Sequence, residues 1–131
     1  MARSDEACQM LAAAERDFRA LAGMADPDVF ADEVFGFHAQ QAIEKSLKAW
    51  LSLIDVEYPR THDISLLLSV LKEHGESAEP FEELVEFNSY AVQYRYGAFS
   101  DVGAPLDRSS VVDRVGDLLA FVQSKVDAST G

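Results

Sequence analysis

Between Asp28 and Ile54 the apolar residues recur at helical spacing and fill an unusually broad arc. Phe35, Ala39, Ala42, Ile43, Leu47, Trp50, Leu53 and Ile54 make up that arc, taking about 100° of rotation per residue. A helix apolar over such a width needs neighbours on several sides, so this segment predicts a central helix in a bundle. The rest of the chain supplies the neighbours. Ala7, Leu11, Ala14, Phe18, Leu21, Ala22 and Ala25 predict a first helix over Ser4–Ala25. Asp26 as N-cap and Pro27 at the first helical position then start the second helix. Glu57–His62 reads as a loop, because Tyr58 precedes Pro59 and is pushed out of helical geometry.

Thr61 or Asp63 is placed to cap a third helix over Ile64–His74, with Leu67, Leu68, Val70 and Leu71 inward and Gly75 as its stop. A fourth helix runs from Pro80 to Tyr96 with Phe81, Leu84, Val85, Ala91 and Val92 on its apolar face. After a loop over Gly97–Leu106, a fifth spans Asp107–Val126 and buries Val111, Val115, Leu118, Leu119, Val122 and Val126. No β-type alternation is present. The expectation is an all-α fold: one domain over residues 1–131, an up-and-down antiparallel bundle of about five helices.

Composition narrows what such a bundle does. The formal net charge is −12, so the overall field repels nucleic acid, and any bound anion has to sit on a local patch. One cysteine, Cys8, excludes an intramolecular disulfide framework and fits a reducing cytoplasm. No stretch has the ~18–20 apolar residues of a membrane span, and the first residues lack the apolar core of a secretion signal.

Two polar features interrupt the apolar pattern. His38, Gln41, Lys45, Lys48 and Ser52 fall within about 80° of one another on the second helix, with Glu44 and Phe37 beside them. Asn88 and Arg95, seven residues apart, lie in the middle of the apolar face of the fourth. A polar group there needs a partner or a cleft. If the second and fourth helices face each other, Lys45, Arg95 and His62 converge into a small cationic pocket for a phosphate or carboxylate. Tyr94 and Tyr96 at its rim are placed to stack on a base.

Plainer readings exist for each feature. A lysine stripe is ordinarily a solvated face, and Glu44–Lys48 is an i,i+4 pair of that kind. Arg95 has the option of a carboxylate from another helix, and His62 that of helping to cap the third. A polar subunit seam accounts for Asn88 and Arg95 as well as a ligand does. Metal and phosphate-loop chemistry finds no footing: the chain has no Glu-x-x-His, no His-Glu-x-x-His, no Cys/His cluster, no Gly-rich phosphate loop and no nucleophile elbow. No metal or cofactor is expected.

The run Phe37-His38-Ala39-Gln40-Gln41-Ala42-Ile43-Glu44-Lys45-Ser46-Leu47-Lys48-Ala49 resembles the signature helix of HEPN domains (higher eukaryote and prokaryote nucleotide-binding). Thr61-His62-Asp63-Ile64, followed by Leu67 and Leu68, is similar to that family's second block, and Tyr94-Arg95-Tyr96 to its third. The resemblance implies a helical bundle, usually a homodimer, often encoded beside a small nucleotidyltransferase as a toxin–antitoxin-like pair. It also implies nucleotide binding, carried over onto His38, Gln41, Lys45, Lys48, His62 and Arg95, with Asn88 added from its place on the apolar face. Many HEPN proteins are metal-independent ribonucleases with an Arg-x4–6-His motif. This chain departs from that pattern: no arginine stands at that distance before His38, His62 or His74. The resemblance therefore points to a non-catalytic module. A ribonuclease with a rearranged pair, Arg95 with His62 or His38 across a dimer, is the second expectation, and a purely structural dimerisation module the third.

Overall fold

The computed structural model describes residues 2–90 and 107–130. These form α1 (Ala2–Ala22), α2 (Asp32–Leu53), α3 (Ile64–Glu73), a 3-10 helix (Glu79–Asn88) and α4 (Arg108–Thr130). There is no strand among the described residues, and the helices pack on one another as the expected bundle.

α2 lies at the centre. It packs against α1, α3, α4 and the 3-10 helix, with α1 its principal neighbour. No residue from Asp32 to Ile54 is exposed, as the broad apolar arc requires. Phe35, Ile43, Leu47, Trp50 and Leu51 are fully buried along α2. They share one core with Leu21 of α1, Leu67 and Leu71 of α3, Phe87 of the 3-10 helix and Leu118 of α4. The six apolar positions expected on the last helix, Val111 to Val126, are all buried. Trp50 meets the rings of Phe81 and Phe121 at centroid distances of 6.1 and 5.0 Å. Its indole N–H donates to Glu76 Oε1 at 2.7 Å, which satisfies the polar edge that a buried tryptophan brings with it.

Helix ends follow local chemistry. Asp63 caps α3 by accepting from Ser65 N–H at 2.9 Å. At its other end Gly75 takes a φ of +81°; the N–H of Glu76 returns to Leu71 O and that of Gly75 to Lys72 O, closing a Schellman motif. α2 ends in the same way. Val56 N–H reaches Leu51 O and Asp55 N–H reaches Ser52 O, but here the residue with positive φ, +67°, is Asp55.

Two expectations need correction. Asp26-Pro27 does not begin the second helix. The carbonyl of Asp26 accepts from Val29 and Phe30 and its side chain from Asp28, which makes one isolated turn, and α2 starts at Asp32. The reason lies in α4. Arg108 donates to Met24 O at 2.8 Å, Phe30 O at 2.7 Å and Asp32 Oδ1 at 2.8 Å. A continuous helix would give Phe30 O to the N–H of Val34; Val34 bonds Ala31 O instead. α1 correspondingly stops at Ala22; Ala22 and Ala25, expected on its apolar stripe, are exposed, and Met24 is buried.

The segment from Glu79 to Asn88 is a 3-10 helix in place of the expected α-helix. Ala78, Phe81, Leu84 and Phe87 are buried and repeat every three residues. Only a helix of 3.0 residues per turn lines up that spacing on one edge. Asn88, one position past Phe87, therefore sits beside the apolar edge and not in its middle.

Candidate functional site

Polar side chains gather on one flank of α2, organised by two carboxylates. The first is Asp17 on α1. Its Oδ1 meets His38 Nδ1 at 3.2 Å and its Oδ2 accepts from Lys45 Nζ at 2.7 Å. One carboxylate thus places an imidazole and an ammonium two turns apart on α2. Asp17 stands three residues after Ala14 and four before Leu21. That spacing puts it on the flank of α1 that faces α2.

Glu44, the second carboxylate, is on α2 itself and is 4% exposed. Its Oε1 accepts from Gln40 Nε2 at 2.9 Å and meets His62 Nδ1 at 2.9 Å; its Oε2 accepts from Lys48 Nζ at 2.8 Å. Burial by itself raises the pKa of this carboxyl. The hydrogen bonds from Lys48, His62 and Gln40, with the Lys48 charge, outweigh burial and hold it below the ordinary carboxylate value. Gln40, fully buried, also donates to the His62 carbonyl at 3.0 Å and accepts from Gln41 Nε2 at 2.7 Å. The His62 loop is therefore held through both ring and backbone.

The expected residues divide into three groups. His38 and Lys45 join on Asp17; Gln41, Lys48 and His62 join around Gln40 and Glu44. Asn88 serves a third place: its Oδ1 accepts from Ile64 N–H at 2.7 Å and its Nδ2 donates to Asp63 Oδ1 at 2.8 Å. It ties the end of the 3-10 helix to the start of α3. Asp63 lies below the ordinary carboxylate value chiefly through its Ser65 hydrogen bond, with Asn88 adding to it. Tyr94, Arg95 and Tyr96 lie outside the described residues. Lys45 and His62, expected to converge, are held by different carboxylates.

The stripe is not the ordinary solvated face either. His38, Gln41, Lys45 and Lys48 are half-buried and Ser52 is fully buried, where its Oγ donates to Glu6 Oε1 at 2.8 Å. The Glu44–Lys48 i,i+4 pair does form. The polar stripe leaves out Asp17 and Gln40 and has Glu44 only beside it. Asp17 carries a signal in its helical register, and Gln40 and Glu44 sit inside the signature helix. Among the described residues no group of three or more His, Cys, Asp or Glu is placed to hold a metal ion.

The family model of the HEPN domain matches residues 7–125, so this chain belongs to the HEPN family. No curated protein and no solved structure gave a significant match. No helix of the described residues is long and apolar enough to cross a membrane.

Proposed function

We propose that this chain is a non-catalytic HEPN module that binds a nucleotide, a partner nucleotidyltransferase, or both, through the polar flank of α2. It acts as a homodimer in a toxin–antitoxin-like pair in the cytoplasm. The observation that carries the reading is the pair of lysines, Lys45 and Lys48, fixed on one flank of a central helix by Asp17 and Glu44. A fixed, half-buried ammonium loses less conformational freedom on meeting an anion than a solvated one. In a chain of net charge −12 such a local arrangement is where an anionic group finds donors.

The test is a thermal-shift panel of nucleotides on the wild type and on Lys45→Ala and Arg95→Ala. A ligand that binds only the folded state raises the midpoint by mass action. The reading expects a nucleotide-specific rise that both variants lose while keeping their helical content. A flat response to every nucleotide, together with no binding of a partner nucleotidyltransferase, contradicts it.

One observation favours a second reading. His38 and His62 each have a carboxylate on Nδ1, the pairing that orients an imidazole for proton transfer. A metal-independent ribonuclease with a rearranged Arg95/His pair uses that arrangement. Single-stranded RNA left intact by concentrated protein without metal rules it out.

A further inference from the structure

We infer that His38 and Lys45, set side by side by the single carboxylate of Asp17, form the subsite for a phosphate group of a nucleotide, with Asp17 as its positioning residue. This rests on the nucleotide-binding reading and narrows it to one of the two carboxylate-centred groups.

Accessibility separates the two lysines, although His62, in the Glu44 group, is the more open imidazole at 50% exposed. The side chains of His38 and Lys45 are 26% and 29% exposed, whereas Lys48 is 12% exposed and packs its ammonium 5.6 Å from the Tyr58 ring centre. Lys48 is committed to the interior; His38 and Lys45 are anchored yet reachable. Donor capacity agrees. An ammonium carries three N–H donors, and Lys45 gives one of them to Asp17. His38 meets Asp17 through Nδ1; as an imidazolium, which carries N–H on both ring nitrogens, it has Nε2–H to donate to a ligand. Two donors two turns apart on one rigid helix, drawn together by one carboxylate of another helix, match the oxygens of one phosphate group. Asp17 cancels the Lys45 charge, so the subsite works by placement of donors more than by its field.

The experiment is an NMR titration of the full chain, following the imidazole signals, with inorganic pyrophosphate as probe and then a nucleotide and its parent nucleoside. Pyrophosphate and the nucleotide are expected to move His38 and leave His74, which bonds Val70 O at the far end of α3; the nucleoside moves neither. Lys45→Ala weakens binding about fivefold or more, Lys45→Arg restores part of it, and Lys48→Ala costs less than about twofold. Asp17→Asn is the sharpest variant, because it makes the site more positive. Placement predicts an affinity about fivefold lower with the backbone amide spectrum retained, and a simple field effect predicts a higher one. If Asp17→Asn disturbs the fold, the two Lys45 variants decide.

Nucleotide binding that leaves His38 unmoved and ignores Lys45→Ala overturns this subsite and leaves the proposed function standing. Pyrophosphate binding at His38 with no nucleotide bound any tighter supports the subsite and overturns the nucleotide reading. An Asp17→Asn variant that binds more tightly also overturns the subsite.

Discussion

Glu44 and His62, eighteen residues apart, meet at 2.9 Å on the flank of the central helix. The same carboxylate binds Lys48 and Gln40, so one buried side chain joins α2 to the loop that precedes α3. Replacing Glu44 by Ala takes the carboxylate from Lys48 and His62, leaves Gln40 only the His62 carbonyl as acceptor, and is expected to cost about 2–4 kcal/mol. Urea denaturation of the variant against the wild type measures it. A loss under about 0.5 kcal/mol would show that the network contributes little.

Glu44 also sets a pH dependence. Its folded-state pKa lies below the ordinary value of 4.5. A depressed carboxylate contributes stability that is complete above the unfolded-state pKa and lost as pH falls through the folded one. The wild type is therefore expected to lose stability below about pH 4.5, and Glu44→Gln to lose less over that interval. Thermal midpoints of both proteins from pH 7 to pH 3 test it; parallel curves would remove Glu44 as the cause.

Arg108 is 9% exposed, with its guanidinium carbon 4.7 Å from the centre of the Phe35 ring. Its three acceptors lie at Met24, Phe30 and Asp32, where α1 hands over to α2. Arg108→Ala is expected to cost about 2–4 kcal/mol. Arg108→Lys recovers less than half, because an ammonium lacks the planar fork that reaches several acceptors at once. Calorimetric midpoints of the two variants check the ranking, and an Arg108→Lys variant as stable as the wild type would contradict it.

Much of the fold is legible in the sequence because burial follows helical period. The apolar positions of α4 and the stop at Gly75 need nothing more than spacing and one glycine. The misreadings come chiefly from groups far apart in the chain. Arg108 stands three residues before Val111 and seven before Val115, on the apolar edge itself, yet its carbonyl partners cannot be read from sequence. They decide where α2 begins. In the 3-10 helix the signal is local: Ala78, Phe81, Leu84 and Phe87 keep a period of three, close enough to 3.6 over so short a run to pass for an α-helix. For the site, the cations are legible on the wheel. Their acceptor Asp17 is harder to see, because its pairings with His38 and Lys45 span 21 and 28 residues.

Asn88 offers a way to separate a structural tie from a ligand contact. Both ends of its amide are taken, by Ile64 and Asp63. Asn88→Ala is expected to cost about 1–2 kcal/mol. Asn88→Asp costs more, since it sets a second carboxylate beside Asp63. Ligand affinity, measured below the unfolding temperature, is expected to stay within about twofold of wild type in Asn88→Ala. A stable variant that no longer binds would return Asn88 to the site.

Close packing at Gly36 gives a prediction independent of charge. A Cβ added there would come within 2.3 Å of the Tyr90 ring. Gly36→Ala gains helix propensity but is expected to lose about 1–2 kcal/mol overall through the displaced ring. Adding Tyr90→Ala makes room and is expected to reverse the sign, so that alanine at position 36 is favoured in that background. A double-mutant cycle with no coupling would contradict this contact.

The central claim is that the polar flank of α2 is a binding surface. The most direct measurement is isothermal titration of a nucleotide panel into the wild type and into a Lys45→Ala/Lys48→Ala double variant of unchanged helical content. The account predicts saturable binding of at least one nucleotide by the wild type and a loss of about tenfold or more in the variant. Equal affinity in the two proteins would contradict it.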